Sequence, residues 1–245
     1  MAAICFMLPR IPQPLTYHNF ADHRSLLGIP NFGDVASNLP FAVIGAWGLC
    51  FLWLSKSESD RHFIDPRERW PYFFVFVGLF LTALGSSWYH LNPNNTTLVW
   101  DRLPMTITFM AMVSAVMMER ISLKLGIWLL PILLFVGLAS VLQWHWSELQ
   151  GSGDLRFYVV VQAYSAAAIL IVLLLPARYT QSRDLGLVVV FYALAKVLEY
   201  FDKPIFAALR VVSGHTLKHL AAAAAGYCIL HMVRKRQPAA PVSDH

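Results

Sequence analysis

Long apolar stretches separated by short polar ones dominate this chain. A helix that crosses a membrane needs about 17 to 25 mostly apolar residues. Seven stretches meet that length, at residues 36–54, 71–90, 99–118, 122–142, 157–176, 185–201 and 211–233. Pro, Asn, Ser and charged residues fill the breaks between them, as in SKSESDRHFIDPRERWP. The pattern predicts an all-α, polytopic membrane protein with seven transmembrane helices.

Composition agrees with this prediction. Of the 245 residues, 57% are hydrophobic and only 13% are charged, whereas soluble domains carry about 25% charged residues. The net charge of +5 is therefore interpreted as a topology signal, and we expect no nucleic-acid partner. Cys5, Cys50 and Cys228 show no paired spacing, which argues against a disulfide framework or a thiolate metal site. The N-terminus lacks the pattern of a cleaved signal peptide, so the first span is expected to direct insertion.

The distribution of Lys and Arg predicts the orientation. Counted over alternate loops, one side of the membrane receives 11 basic residues and the other receives 5. Because basic loops stay on the cytoplasmic side, the C-terminus is expected in the cytoplasm and the N-terminus outside. The predicted organisation is an extracytoplasmic segment at 1–35, a transmembrane domain at 36–233 and a cytoplasmic tail at 234–245.

Polar residues gather where three predicted spans reach the outer face. Ser86 and His90 lie in the last outer turns of the second span, and Asp101 lies in the first turn of the third. His215 and His219 open the seventh span. Four ionisable groups from three helices are thus predicted at one depth, and polar clusters inside a membrane usually mark function because their burial is costly.

The spacing of the histidines is that of a zinc chelate. His215 and His219 are four residues apart and share a helix face. A third histidine from a facing helix would leave the fourth tetrahedral position open, as in catalytic zinc sites.

Each residue also has a purely structural interpretation. A His-x-x-x-His pair arises by chance, and a small residue such as Ser86 is favoured where membrane helices pack. Asp101 precedes Pro104, so it could serve as the N-cap of the third helix. Arg102 is expected either to reach outward to lipid headgroups or to pair with a nearby acid.

These motifs resemble the signature of the alkaline ceramidase family. Ser-x-x-x-His at 86–90, Asp101 and His-x-x-x-His at 215–219 occur in the order, spacing and depth of that family. They also match the wider superfamily of seven-span hydrolases that includes adiponectin receptors and haemolysin-III-like proteins. The stretch NFGDVASNLPF before the first span favours the ceramidase branch.

The resemblance implies an integral-membrane, zinc-dependent amidohydrolase that cleaves ceramide-like lipids to a fatty acid and a sphingoid base. It implies Zn²⁺ on His90, His215 and His219, Asp101 as the general base, and Ser86 close to a substrate oxygen. Its expected partner is a membrane lipid. Two alternatives remain open: a receptor or sensor with structural zinc, and a lipid hydrolase acting on another bond. Short loops count against the receptor.

The N-terminal segment departs from the family. Ceramidases of this kind hold Ca²⁺ there with Asp, Glu and Asn side chains, but this chain offers only Asp22, Asn31 and Asp34, and it adds Arg24. Because Ca²⁺ takes six to eight oxygens, our hypothesis is that Arg24 pairs with Asp22 or Asp34 and replaces the ion. The alternative is a solvated amphipathic segment.

The sixth predicted span contains charges that need partners. Lys196, Glu199 and Asp202 recur at intervals of three, and Lys218 lies beside His219 but about 100° around the helix. A buried pair of Glu199 with Lys196 or Lys218 is expected, and the alternative is a role in lining a pocket.

Overall fold

The computed structural model describes residues 9–54 and 60–239, and these residues are mainly helical. The α-helices are α1 (Phe32–Ala36), α2 (Leu39–Trp53), α3 (Arg69–Leu91), α4 (Asn95–Arg120), α5 (Leu123–Leu149), α6 (Arg156–Val172), α7 (Arg183–Tyr200), α8 (Asp202–Leu209) and α9 (Gly214–Lys235). Single turns of 3₁₀ helix form at Leu15–His18, Asp60–His62 and Pro66–Glu68.

Each predicted apolar stretch falls on one of the longer helices, α2 to α7 and α9. Among the described residues, three helical segments are long and apolar enough to cross a membrane: Phe32–Trp53, Pro66–Leu91 and Leu123–Leu149. Helix α6 is a shorter apolar helix. The fold is therefore an all-α bundle whose composition suits a membrane.

Helix α4 begins earlier than its hydrophobic pattern suggests. Asn94 caps it, because the Asn94 side chain accepts hydrogen bonds from the backbone N–H groups of Thr96 and Thr97, and the Thr97 hydroxyl accepts one from the Asn94 N–H. Asp101 is consequently in the second turn, and Pro104 lies inside the helix. The expectation that Asp101 occupies the first turn or serves as the N-cap is wrong, since a stronger capping box lies just upstream.

Two glycines bring α3 and α4 close together. A methyl group on Gly78 would lie 2.7 Å from the Thr108 backbone nitrogen, and one on Gly85 would lie 1.9 Å from the Trp100 carbonyl oxygen. Small residues let helix backbones approach in this way. The contact at Gly85 holds the end of α3, which carries the candidate site residues, directly against the start of α4.

Buried polar contacts close the opposite end of the bundle. The Arg236 guanidinium is fully buried and pairs with Glu119 and the Tyr72 hydroxyl. The predicted tail boundary at residue 234 therefore falls inside the packed body, which continues at least to Arg236. Residues 1–8 and 240–245, the ends of the predicted terminal segments, lie outside the described residues.

Candidate metal and catalytic site

Three buried histidines meet at one end of the bundle. His90 is in the last turn of α3, and His215 and His219 are in the first two turns of α9. One nitrogen from each ring lies within 4.8 Å of the others. The Nε2 atoms of His90 and His215 are 3.3 Å apart. The structure thus brings together the three residues that the sequence predicted as metal ligands.

The donor set is compatible with a metal ion, and the spacing of one histidine pair matches tetrahedral zinc. Two nitrogens bound tetrahedrally at 2.0–2.1 Å lie roughly 3.3 Å apart, which is the separation of the His90 and His215 Nε2 atoms. The ring planes cross at 67° to 82°, so the rings do not stack on one another. Imidazole is a ligand that suits zinc, copper, iron and nickel.

A serine orients the His219 ring. Ser37 Oγ lies 2.8 Å from His219 Nδ1 and donates its own proton to the Asp34 carbonyl oxygen. The Nδ1–H of His219 therefore donates to Ser37, and Nε2 is left free for a metal. Such outer contacts fix the tautomer of ligating histidines.

Further contacts position the other two histidines. The Asp202 carboxylate accepts from the backbone N–H of His215 at 2.8 Å and from that of Ala21 at 2.8 Å. Asn31 Nδ2 donates to the His90 carbonyl oxygen, and the Phe20 ring packs against both His90 and His215. The N-terminal segment therefore forms one wall of the site.

Asp101 and Ser86 are buried, and both line the same cavity as His219. Both side chains therefore present polar groups to the same space. A buried carboxylate that shares a cavity with a candidate metal ligand is a candidate general base.

The cavity has a volume of about 390 Å³ and is amphipathic. Its polar wall lies at the histidine end, with side chains from α3, α4, α7 and α9. The remainder is apolar and extends between α4, α6, α7 and α9, where Met112, Ile169, Leu170, Val189 and Ile229 line it. Few polar groups at the end of an apolar pocket suit a molecule with a polar head and a hydrocarbon tail.

The candidate calcium residues engage other partners. Arg24 forms two side-chain hydrogen bonds to Asp22, at 2.7 and 2.6 Å, and donates to the carbonyl oxygens of Arg210 and Val211. The guanidinium holds the pKa of the Asp22 carboxyl below its usual range. The predicted pair of Arg24 with Asp22 is present, and it ties the N-terminal segment to the α8–α9 loop.

Asn31 and Asp34 point to different groups. Asn31 donates to the His90 carbonyl oxygen, and Asp34 accepts from the Thr216 hydroxyl at 2.7 Å. These residues support the histidines from outside.

Ser37 and the contact role of Asp202 escaped prediction. Ser37 sits in a short helical region with no motif, and Asp202 was recognised only as one of three charges at regular spacing. Ser37 lies about 180 residues from its partner His219, and Asp202 lies 13 residues from its partner His215. Local sequence patterns do not predict such contacts.

Neither a protein-family model nor a curated protein sequence matches this chain. The function is therefore argued from the site itself.

Proposed function

We propose that this chain is an integral-membrane, zinc-dependent amidohydrolase that cleaves the amide bond of ceramide-like lipids. The observation that carries the proposal is a group of three buried histidines, one of which, His219, lines a mainly apolar cavity together with the buried carboxylate of Asp101. The seven helices α2 to α7 and α9 would each cross the bilayer. The 11 to 5 distribution of basic residues supports an extracytoplasmic site.

His90, His215 and His219 would hold the ion. When bound, zinc supplies Lewis acidity and lowers the pKa of a water ligand to about 7. The protein's own contribution is to orient the imidazoles, through Ser37 on His219, and to bury them away from bulk water.

Asp101 would move the proton. Hydrolysis forms a bond from a water oxygen to the amide carbon and breaks the carbon–nitrogen bond. Asp101 would accept the proton of the attacking water and deliver it to the leaving amine nitrogen, so that fatty acid and free amine are released. Ser86 lines the same cavity as Asp101, and its hydroxyl would donate a hydrogen bond to the amide oxygen there.

The apolar part of the cavity would hold the acyl chain. Its side chains are as apolar as lipid tails, so the acyl chain would pass from the bilayer into the cavity without exposure to water. This would place the amide at the boundary between the apolar wall and the histidines.

The test is Asp101→Asn in purified protein loaded with zinc. We expect zinc content to be retained while release of fatty acid from a ceramide-like lipid falls by about 10² to 10⁴. Asp65→Asn is the matched control, because Asp65 lies in an exposed pair with Arg67 and exposed pairs contribute little. Undiminished hydrolysis by Asp101→Asn would remove Asp101 as the base. Zinc in the wild-type protein without any amide cleavage would contradict the proposed activity.

A further inference from the structure

The polar wall of the cavity carries an excess of positive charge. Lys196 and Lys218 both line the cavity, and both bind the same carboxylate: their Nζ atoms lie 2.9 and 2.8 Å from the two oxygens of Glu199. One negative charge thus serves two ammonium groups. Each ammonium has three donors, so each keeps capacity for another acceptor.

Arg102 adds a third cation to the same wall. Its side chain is buried, with the guanidinium over the rings of Trp144 at 4.3 Å and Tyr158 at 4.8 Å. Nη2 donates to Gln13, a neutral group. Among the residues that the structure describes, Nη1 is buried without a hydrogen-bond partner, and Arg102 has no carboxylate in ion-pair contact. The expectation that Arg102 reaches outward or pairs with an acid is wrong, because aromatic rings enclose it.

Three cations therefore face two carboxylates, Glu199 and Asp101, along one wall. Arg102 is buried and Lys218 is 19% exposed, whereas Lys196 is 54% exposed; excess positive charge inside a membrane is costly. A metal ion on the histidines would increase the imbalance. A negative charge would balance the cations of this wall, and the polar end of the cavity beside the wall has room for a group that carries one.

We propose that this wall recognises an anionic headgroup, so that the substrates are N-acyl lipids bearing a phosphate or a carboxylate close to the amide. The inference rests on the proposed function and narrows it. An anionic oxygen would accept hydrogen bonds from Lys218, Lys196 and Arg102 while the acyl chain occupies the apolar part. An uncharged hydroxyl headgroup would leave the excess charge uncompensated.

The test compares three substrates with the same acyl chain: a ceramide, the same ceramide phosphorylated on its headgroup, and an N-acylglycine. The readout is the ratio of kcat/KM for each anionic substrate to that for the ceramide. We expect a ratio above one for wild-type protein, with the favoured anion identifying phosphate or carboxylate as the natural group.

Variants of the wall should move this ratio in opposite directions. Lys218→Gln should lower it about tenfold, the value of one hydrogen bond to a charged group. Lys218→Arg should preserve it, and Glu199→Gln should raise it by removing the competing carboxylate. Lys203→Gln is the matched control, since Lys203 is exposed on α8 at the same end of the bundle. If Lys218→Gln and Glu199→Gln leave the ratio at its wild-type value, the proposal is overturned while amide hydrolysis stands.

A binding measurement separates this proposal from the hydrolysis. A phosphorylated analogue with an ether in place of the amide should raise the melting temperature of the wild-type protein more than its uncharged counterpart does. Lys218→Gln should remove that difference and Lys218→Arg should keep it. This result in a protein that cleaves no amide would support anion recognition and contradict the proposed activity. Equal shifts from both analogues in the wild-type protein would overturn anion recognition.

Discussion

Replacing Gly85 by alanine tests the contact that positions the candidate site. The new methyl group would lie 1.9 Å from the Trp100 carbonyl oxygen and 2.7 Å from its carbonyl carbon, whereas ordinary contact begins at 3.4 Å. Both atoms belong to the α4 backbone, so no side chain can rotate away. The helices must separate by about 1.5 Å to restore ordinary contact.

That separation acts on neighbours of the site on both helices. Gly85 precedes Ser86 and Trp100 precedes Asp101, so separating the helices at this contact also moves those two cavity-lining side chains apart. Overpacking of this kind costs typically 1 to 3 kcal/mol. A misplacement of about 1 Å at a catalytic group reduces turnover by about 10². We therefore expect Gly85→Ala to lower the melting temperature by several degrees and hydrolysis about 100-fold.

The assay compares melting temperature, zinc content and hydrolysis of an N-acyl lipid in detergent-solubilised protein. Gly186→Ala is the matched control, because it lies on α7 and a methyl group there would meet nothing within 4 Å. Alanine is favoured over glycine in a helix by about 1 kcal/mol, so this control should be as stable as the wild type or slightly more so. If Gly85→Ala behaves like Gly186→Ala, the close approach of α3 to α4 is refuted.

Two further predictions concern the groups around the histidines. Ser37→Ala should weaken zinc binding 10- to 100-fold, the usual effect of removing an outer partner of a ligating histidine. Competition with a chelator measures the zinc affinity. An unchanged affinity would contradict the role of Ser37. Because Arg24 lowers the pKa of Asp22, the stabilisation from their pair is present above about pH 4 and is lost as the pH falls through the lowered value. Melting curves should therefore show a smaller loss of stability between pH 6 and pH 3 for Arg24→Gln than for the wild type, and calcium should leave the wild-type melting temperature unchanged. Two outcomes would count against Arg24 as the replacement for the calcium ion. One is a larger loss of stability at low pH in Arg24→Gln than in the wild type, and the other is a calcium-dependent rise in the melting temperature of the wild type.

The helices were predictable from sequence because apolar length is a local property. All seven long helices fall on predicted stretches, with α5 ending at Leu149, beyond the predicted residue 142. The error at the start of α4 has a physical reason: the hydrophobic pattern begins near residue 99, while the capping box at Asn94 and Thr97 starts the helix four residues earlier.

The candidate site was predictable to the extent that its residues share helix faces. His215 and His219 are one turn apart, and the orientation count placed His90 at the same depth. The support from Ser37 and Asp202 was not predictable, because those residues approach the histidines only once α1, α8 and α9 pack together.

The charged wall of the cavity also has one part that was predictable from sequence and one that was not. Spacing predicted that Glu199 would pair with Lys196 or Lys218, and the structure has both pairs and places all three side chains on the cavity. The burial of Arg102 depends on Trp144 and Tyr158 from two other helices, so its surroundings could not be inferred from its neighbours in the sequence.

The central claim is that three histidines hold one catalytic zinc ion. Its most direct test is the metal content and X-ray absorption spectrum of purified protein, measured beside His90→Ala, His215→Ala and His219→Ala. The account predicts one zinc per chain with three nitrogen ligands at about 2.0 Å, and loss of the metal in each variant. A wild-type protein without zinc, or one that keeps it after all three single substitutions, would contradict the account.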